Sequence, residues 1–241
     1  MLKLFGNKNK NEFMSAVILC AGSSIRFGTD KQKILLGGKP VCEHTIKTFQ
    51  NSKEVNEIIV VVPKDDIDFY KQLVTNGGYD KVKAIVVGGE TRQSSAFRGF
   101  KHISEKAKYV CIHDGARCLV TEDIIFSVYN GVILSEGAAA AATKITDTVK
   151  EASRDHFVEK TLDREKLWSI QTPQIFDVEI YKKAIEAAVQ NDFVGTDDCG
   201  AVELAGFKVK LVETGKENLK ITYKNDIKLA ELILKSREVE K

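Results

Sequence analysis

The chain has 241 residues, of which 43% are hydrophobic, so it is long enough to bury a substantial core. Its 36 Lys and Arg residues are nearly balanced by 34 Asp and Glu residues, and a net charge of +2 gives no general attraction to nucleic acid or to a membrane surface. No apolar segment approaches the roughly 20 residues needed to cross a bilayer. We therefore expect neither nucleic acid nor membrane as a partner, and any anion site must be local.

The cysteines and the first residues of the chain predict a cytoplasmic protein. Five scattered cysteines form no CxxC pair and no Cys/His spacing typical of zinc, so we expect reduced thiols. Residues 1–13 are rich in Lys and Asn but lack the apolar stretch and cleavage site of a secretory signal. We expect them to form a disordered N-terminal extension, followed by one domain over residues 14–241.

From Ser15 onward, short β-branched runs alternate with amphipathic segments, which is the pattern of parallel strands joined by crossover helices. The predicted strands are residues 16–19, 57–62, 83–87, 109–112, 138–143 and 208–212. The predicted helices are residues 41–49, 66–74, 91–103, 122–134, 178–189, 198–205 and 224–234. Right-handed crossovers place helices on both faces of such a sheet. We therefore predict an α/β fold with a Rossmann-like, mostly parallel sheet.

Two features of this pattern direct attention to function. In open α/β sheets the ligand crevice lies beyond the carboxyl ends of the strands, so the residues that follow each strand are the candidates for a site. Residues 145–163 interrupt the alternation, because they carry charges and β-forming residues without apolar periodicity. We predict that this segment projects from the domain.

Small residues and cations follow the first predicted strand. Residues 20–28 read Cys-Ala-Gly-Ser-Ser-Ile-Arg-Phe-Gly, and Lys31 and Lys33 come next. Small side chains let backbone N–H groups approach phosphate oxygens, and Arg26 and Lys31 can supply charge-assisted hydrogen bonds. The spacing matches neither GxxxxGK[ST] nor GxGxxG, which disfavours a P-loop NTPase or an NAD site. The segment indicates a triphosphate site, but a Gly/Ser turn with solvated cations is an equally simple interpretation.

The third predicted strand ends at a pair of glycines, Gly88 and Gly89, followed by Glu90. Paired glycines permit close approach of the backbone to a ligand, and Ser95 on the next helix could help to read a base edge. A plain turn with a helix cap explains the same residues. Arg92, near the start of this helix, is interpreted as a solvated or structural residue.

The fourth predicted strand runs into His113-Asp114-Gly115-Ala116-Arg117, which puts an acid and a guanidinium in one loop. Asp114 could coordinate Mg²⁺ bound to a nucleotide phosphate, and Arg117 could clamp a second phosphate or a hydroxyl. The alternative is a structural ion pair in a turn. His113 is interpreted as a packed histidine rather than a base.

Taken in chain order, these motifs resemble the 2-C-methyl-D-erythritol 4-phosphate cytidylyltransferase family over residues 15–234. Several ordered motifs are more specific than any one alone. Besides the loops described above, the resemblance rests on Lys31-Gln32, Asp147-Thr148, Asp163-Arg164, Leu167-Trp168, Thr172-Pro173-Gln174, Thr196-Asp197-Asp198 and Leu219-Lys220-Ile221-Thr222. It implies a cytidylyltransferase that uses CTP and Mg²⁺ and places a cytidylyl group on a sugar-alcohol phosphate.

The resemblance also implies a role for each site residue. The cytosine and ribose of CTP would be held by Ala21, Gly22, Gly89, Glu90 and Ser95. The phosphates of CTP would meet Arg26 and Lys31, and Asp114 would organise Mg²⁺. The sugar-alcohol phosphate would be surrounded by Arg117, Thr148, Arg164, Thr172 and Lys220, of which Lys220 would also lie near the reacting α-phosphate.

In this family the excursion is a β-arm that clasps a second subunit. The resemblance therefore implies a homodimer built through residues 145–163, with Thr148 and Arg164 serving the neighbour's site. The chain departs from the usual family pattern at Ser24, which replaces a common glycine, and at Asp30 and Cys118, where proline is frequent. None of these changes removes a group that the chemistry requires.

Two other functions remain open at this point. A ribitol 5-phosphate cytidylyltransferase would be similar in fold and in its CTP loop, although those enzymes tend to carry valine at the position of Ala116. A nucleotide-binding module without catalysis is the other alternative. It is disfavoured because binding alone would tolerate the loss of one charge near the reacting phosphorus, whereas the chain keeps Arg26, Lys31, Asp114 and Lys220.

Overall fold

The buried β-branched runs of the sequence form the centre of a seven-stranded sheet in the computed structural model, which describes residues 12–22 and 30–239. The strands of the chain are β1 (Met14–Leu19), β2 (Leu35–Leu36), β3 (Lys39–Pro40), β4 (Glu57–Val62), β5 (Val82–Val87), β6 (Tyr109–Asp114), β7 (Ala138–Lys144), β8 (Lys150–Ala152), β9 (Val158–Thr161), β10 (Trp168–Asp177) and β11 (Lys210–Glu213). The main sheet has the order β11-β7-β10-β6-β1-β4-β5. Only β10 pairs antiparallel with its neighbours within this described sheet, so the predicted mostly parallel α/β fold is confirmed.

Seven helices connect and cover these strands in the described ranges. They are α1 (Val41–Asn51), α2 (Ile67–Gly77), α3 (Arg92–Phe100), α4 (Glu122–Ile133), α5 (Val178–Gln190), α6 (Asp198–Leu204) and α7 (Lys224–Val239). Side chains of β1 alternate between two cores, since Ile18 packs with α1, α2 and α4 while Val17 packs with α3, α5 and α6. Helices therefore cover both faces of the sheet, as predicted.

A third, smaller core joins the loops at one end of the sheet to α7. Ala230 of α7 is buried together with Leu119 and Ala116, which follow β6, and with Ile221. The backbone N–H of Ile221 donates to the carbonyl oxygen of Ala116 at 2.8 Å. This contact holds the loop around residue 220 against the loop that follows β6.

Strand β10 was not predicted from the sequence, although it lies in the middle of the sheet. Its central residues Gln171, Thr172 and Gln174 are polar yet buried, and Pro173 follows a cis peptide bond. Proline is uncommon inside a central strand because it donates no ladder hydrogen bond. The pairing of β10 with β7 shifts register between Ile170 and Gln174, which accommodates the proline in an irregular segment. A polar segment with proline therefore resembled a loop.

The predicted excursion contains a separate hairpin. Strands β8 and β9 pair antiparallel with each other outside the main sheet, and all their residues are exposed. Phe157 and Val158 leave 75% and 62% of their surfaces exposed in this single chain. The structure thus agrees with a projecting segment, whereas its role in a dimer stays a prediction.

Residues 1–11 of the predicted extension lie outside the described residues. The carbonyl oxygen of Phe13 already accepts hydrogen bonds from the backbone N–H groups of Lys108 and Tyr109, at 2.8 and 3.2 Å. None of the helices in the described ranges combines the length and apolar character that crossing a membrane requires.

Candidate active site

A cleft of about 580 Å³ lies beyond the carboxyl ends of β1, β4, β5 and β6. Most of the residues predicted for nucleotide, metal and phosphate binding line it, and they come from four distant parts of the chain. These lining residues are Ala21, Gly22, Lys31, Gly89, Glu90, Asp114 and Lys220. A larger groove of about 740 Å³ lies between α1 and α2, but none of the predicted site residues lines it. The strand-end cleft is therefore the candidate active site.

Close backbone approach at the strand ends requires glycine at position 88. A Cβ added to Gly88 would lie 2.3 Å from the Cβ of Ala21, so a side chain there would push the two loops apart. The Ser95 hydroxyl accepts from the N–H of Gly89 at 3.0 Å and donates to the carbonyl oxygen of Thr91 at 2.9 Å. Ser95 is buried, so this structure gives it a loop-holding contact, and its contact with a base stays a prediction.

Asp114, the last residue of β6, is held at three points. Its Oδ1 accepts from Nε of Arg92 at 2.9 Å, and its Oδ2 accepts from Nζ of Lys220 at 2.6 Å. Its backbone N–H donates to the Thr172 hydroxyl at 3.0 Å. Burial alone would raise the pKa of Asp114, but the charges of Arg92, Lys220 and Arg117 hold that pKa well below its usual range. Asp114 therefore remains a carboxylate at physiological pH.

Lys220 reaches the cleft on a loop that is held by hydrogen bonds to β10. The side-chain amide of the fully buried Asn218 donates to Oε1 of Gln171 at 2.9 Å and to the carbonyl oxygen of Thr172 at 2.8 Å. Lys220 itself keeps 36% of its side chain exposed. The loop is thus rigidly placed while the ammonium group remains accessible from the cleft.

Two residues predicted to bind the sugar-alcohol phosphate lie beneath this surface. Arg117 donates from Nη1 to the carbonyl oxygen of Asn218 at 2.8 Å, and Thr172 is almost fully buried under Asp114. Neither lines the cleft, so the structure gives both a supporting contact. Their direct contact with a substrate stays a prediction.

The cation loop after β1 is only partly described, because Ser24 and Arg26 fall in residues 23–29, outside the described ranges. Lys31 lines the cleft. Just before it, the Asp30 carboxylate accepts from the N–H of Gln32 at 3.1 Å and pairs with Lys33 at 3.3 Å. Lys33 is also bound by Asp66 at the start of α2. Asp30 therefore organises this turn through side-chain hydrogen bonds.

The two predicted residues of the excursion lie away from the cleft of the same chain. Thr148 is exposed in the segment before β8, and Arg164 is exposed and donates from Nη1 to the carbonyl oxygen of Thr146 at 3.1 Å. Neither residue lines the described cleft. Their position leaves them free to contact the active site of a neighbouring subunit, and that contact stays a prediction.

Arg92 is the site residue whose importance the sequence analysis missed. It lines the cleft and joins two carboxylates, with Nε on Asp114 and Nη1 on Asp198 at 2.7 Å. Asp198 was predicted as the start of a helix and as part of the Thr196-Asp197-Asp198 motif, without a link to Arg92, and it lies 106 residues further along the chain. The available local signal was that Arg92 begins a helix three residues after Gly89, the second of the two glycines that follow β5.

The donor set fits a magnesium ion that arrives with a nucleotide. Within residues 12–22 and 30–239 no three His, Cys, Asp or Glu side chains converge to hold a metal alone. Asp114 nevertheless offers an ionised carboxylate at the cleft. Mg²⁺ at phosphate-transfer sites usually takes one or two carboxylates and completes its shell with phosphate oxygens and water. A single aspartate is therefore sufficient.

His113 is a buried, neutral histidine. Its Nε2 lies 3.3 Å from the carbonyl oxygen of Arg117, which can only accept, so Nε2 carries the proton. Its Nδ1 then accepts from the Thr172 hydroxyl at 3.1 Å. Burial lowers the pKa of His113 to about 3. The prediction of a packed histidine agrees with this geometry.

Acid should destabilise the fold partly through His113. Unfolded histidine titrates near pH 6.5, so this contribution to stability is complete above that pH and is lost as the pH falls towards 3. The expected loss is at most about 1.4 kcal/mol per pH unit. Urea unfolding between pH 7.5 and 4 should therefore show a shallower pH slope for His113→Gln than for wild type. The exposed His102→Gln variant should keep the wild-type slope, and equal slopes in all three proteins would contradict the assignment.

A mostly parallel α/β sheet with a cleft lined by lysines and one ionised aspartate at its strand ends is the arrangement expected of a nucleotidyltransferase. The family model described as 2-C-methyl-D-erythritol 4-phosphate cytidylyltransferase matches residues 14–236. The chain belongs to this family.

Individual relatives agree over nearly their whole length. The chain is 42% identical to the 2-C-methyl-D-erythritol 4-phosphate cytidylyltransferase of Caldanaerobacter subterraneus, over 92% of this chain and 99% of that protein. It is 40% identical to the protein of the same name from Pelotomaculum thermopropionicum, over 93% and 95%. A solved structure of 4-diphosphocytidyl-2C-methyl-D-erythritol synthase from Anaerococcus prevotii is similar with a TM-score of 0.83 and 34% identity, over 93% and 97% of the two chains.

Proposed function

We propose that this chain transfers the cytidylyl group of CTP to 2-C-methyl-D-erythritol 4-phosphate, giving 4-diphosphocytidyl-2-C-methyl-D-erythritol and pyrophosphate in isoprenoid precursor synthesis. The family membership supports this reaction. The structural observation that carries it is the convergence of Lys31, Asp114 and Lys220 on one cleft at the strand ends.

The chemistry needs no protein nucleophile. An oxygen of the acceptor's phosphate attacks the α-phosphorus of CTP, a new P–O bond forms, and the bond from that phosphorus to the bridging oxygen of pyrophosphate breaks. A phosphate is already an anionic nucleophile near neutral pH, so the difficulty lies in bringing two polyanions together and stabilising charge at the α-phosphoryl group. Fixed cations at a preorganised cleft address that difficulty.

Each part of the cleft has a proposed role. Backbone groups of Ala21, Gly22 and Gly89, with Glu90 and Ser95, hold the nucleoside of CTP, and Lys31 with Arg26 binds its phosphates. Lys220 serves the α-phosphoryl group, and Asp114 holds Mg²⁺. Mg²⁺ held by Asp114 would supply positive charge that offsets the negative charge of the phosphates. Arg117 and Thr172 position the acceptor's phosphate together with Lys220.

The dimer is a further part of the proposal. The exposed hairpin of β8 and β9 carries Phe157 and Val158, whose apolar surfaces a partner subunit would cover. Thr148 and Arg164 would then reach the partner's cleft, since neither lines its own. A cytoplasmic location is proposed as well, because all five cysteines are buried free thiols.

Release of pyrophosphate tests the function directly. With CTP and Mg²⁺, the purified chain should release pyrophosphate rapidly with 2-C-methyl-D-erythritol 4-phosphate and at a much lower kcat/KM with ribitol 5-phosphate. Ala116 lines the cleft, so Ala116→Val is the matched variant for acceptor choice. A higher kcat/KM with ribitol 5-phosphate than with 2-C-methyl-D-erythritol 4-phosphate would show that the proposed acceptor is wrong. CTP binding without release from either acceptor would instead indicate a non-catalytic nucleotide-binding module.

A further inference from the structure

Arg92 lies between two carboxylates at the floor of the cleft. Its Nε contacts Asp114 at 2.9 Å and its Nη1 contacts Asp198 at 2.7 Å. The Asp198 side chain is completely buried, and its Oδ1 accepts from the Tyr181 hydroxyl at 2.5 Å. Its backbone N–H also donates to Oε1 of Gln174 at 3.0 Å. Asp198 is therefore a fixed anchor for one end of the guanidinium group.

The two cations that share Asp114 differ in their freedom to move. Arg92 is bound at both ends and leaves 23% of its side chain exposed, whereas Lys220 is 36% exposed and its ammonium group sits on Asp114 alone among the contacts described here. A planar guanidinium can bridge two carboxylates in one geometry, but a lysine ammonium is a compact charge on a flexible stem. Lys220 is thus the partner that can leave Asp114.

Departure of Lys220 would have a cost if Arg92 were absent. Asp114 is almost fully buried, and a buried carboxylate without a partner is strongly unfavourable. Arg92 keeps one oxygen of Asp114 paired and leaves the other available. The arrangement therefore permits an exchange at Oδ2 without leaving an unpaired buried charge.

We propose that Arg92, anchored by Asp198, is a positioning residue that holds Asp114 in place while Lys220 moves from Asp114 to the phosphates of the arriving nucleotide. This inference rests on the proposed function, since it specifies how the same cleft exchanges an internal ion pair for its ligand. Neither Arg92 nor Asp198 needs to touch the reacting atoms.

Three variants separate this role from general stability. Arg92→Lys keeps the charge but loses the bridging geometry, and Asp198→Asn keeps the shape but loses the anchoring charge. Tyr181→Phe is the matched control, because it removes one hydrogen bond to the same carboxylate and leaves both charges. Thermal unfolding of each variant identifies those that remain folded at the assay temperature.

The main measurement is calorimetric binding of CTP, with and without Mg²⁺, in the absence of acceptor. In Arg92→Lys and Asp198→Asn the strengthening of CTP binding by Mg²⁺ should fall at least about 10-fold, while metal-free binding stays near the wild-type value. A displacement of Asp114 by about 1 Å should also lower kcat on the order of 100-fold, and the KM for CTP measured with Mg²⁺ should rise in line with the weaker Mg²⁺-dependent binding. Tyr181→Phe should stay within about threefold of wild type in both measurements.

Two results would overturn the inference. One is a folded Arg92→Lys variant in which both kcat and the strengthening of CTP binding by Mg²⁺ stay near the wild-type values. This result counts even if Asp198→Asn does not fold. The other is an equal loss in all three variants, which would indicate a loosened core rather than a positioned carboxylate. If wild type releases no pyrophosphate with any acceptor, the proposed function fails, yet the binding comparison still decides the role of Arg92.

Discussion

Replacement of Lys31 or Lys220 by alanine is expected to lower turnover by a factor on the order of 100 or more, comparable to removing one preorganised electrostatic donor. Both lysines line the cleft, and Lys220 is held there by a loop that is bonded to the segment after β6 and to β10. The charge that develops at the α-phosphoryl group is larger in the transition state than in bound CTP. The loss should therefore appear mainly in kcat, measured by pyrophosphate release at saturating CTP.

Lys83→Ala is the matched control for this prediction. Lys83 lies near the amino end of β5, at the edge of the sheet opposite the cleft, and its ammonium group donates to the carbonyl oxygen of Asp80 at 2.8 Å. Removing this cation changes the net charge by the same amount as the test variants. Turnover of Lys83→Ala should match wild type, and near-normal turnover of both Lys31→Ala and Lys220→Ala would refute the role of these lysines.

Mixing two variants that are impaired at different residues should restore activity if sites are shared between subunits. Arg164→Ala should weaken binding of the sugar-alcohol phosphate more than binding of CTP. Lys31→Ala should lower the activity of the cleft in its own chain. In a mixed dimer, the chain with intact Lys31 would receive intact Arg164 from its partner, so one of the two sites would be complete. After random re-assortment about half of the dimers are mixed, so the mixture should reach about a quarter of wild-type activity.

Tagged chains co-expressed and purified as mixed dimers provide the sharper measurement, because every such dimer has one complete site of two and should reach about half of wild-type activity. A matched control is a mixture of Lys31→Ala with Lys220→Ala, because both residues line the cleft of the same chain and no site sharing is expected between them. That mixture should show one complete site per mixed dimer only if one of these lysines came from the partner. Absence of rescue in the Arg164 mixture would contradict the intersubunit role of the hairpin segment.

The regular part of the fold could be predicted because its strands are buried on both faces. Strands β1 and β4 contain the continuous apolar runs of residues 16–19 and 58–62, and every residue of each strand is buried. Strand β10 could not be predicted from the same rule. Its buried polar side chains are satisfied by partners far away in the chain, such as the bond from Gln174 to Asp197 at 3.0 Å, and local sequence contains no trace of those partners.

The site shows the same division. The place of Asp114 at the end of β6 follows from strand order alone, since the carboxyl ends of parallel strands share one edge. Lys220 could be assigned only through the ordered family motifs, because nothing in its neighbours indicates that the loop returns to the cleft. Arg92 was underestimated because its proposed role depends on Asp198, whose position is set by the packing of α6 and not by nearby residues.

The small core that joins α7 to the loop after β6 has a consequence for how the enzyme matures. Ala230 and Ile221 seal the segment that carries Lys220, so the pocket is incomplete until that region has left the ribosome. Lys31 and Asp114 are synthesised earlier and can already fold with the central strands. A nascent chain could therefore fold its central strands before its active site is complete. It would become catalytically active only when α7 packs against the loop after β6.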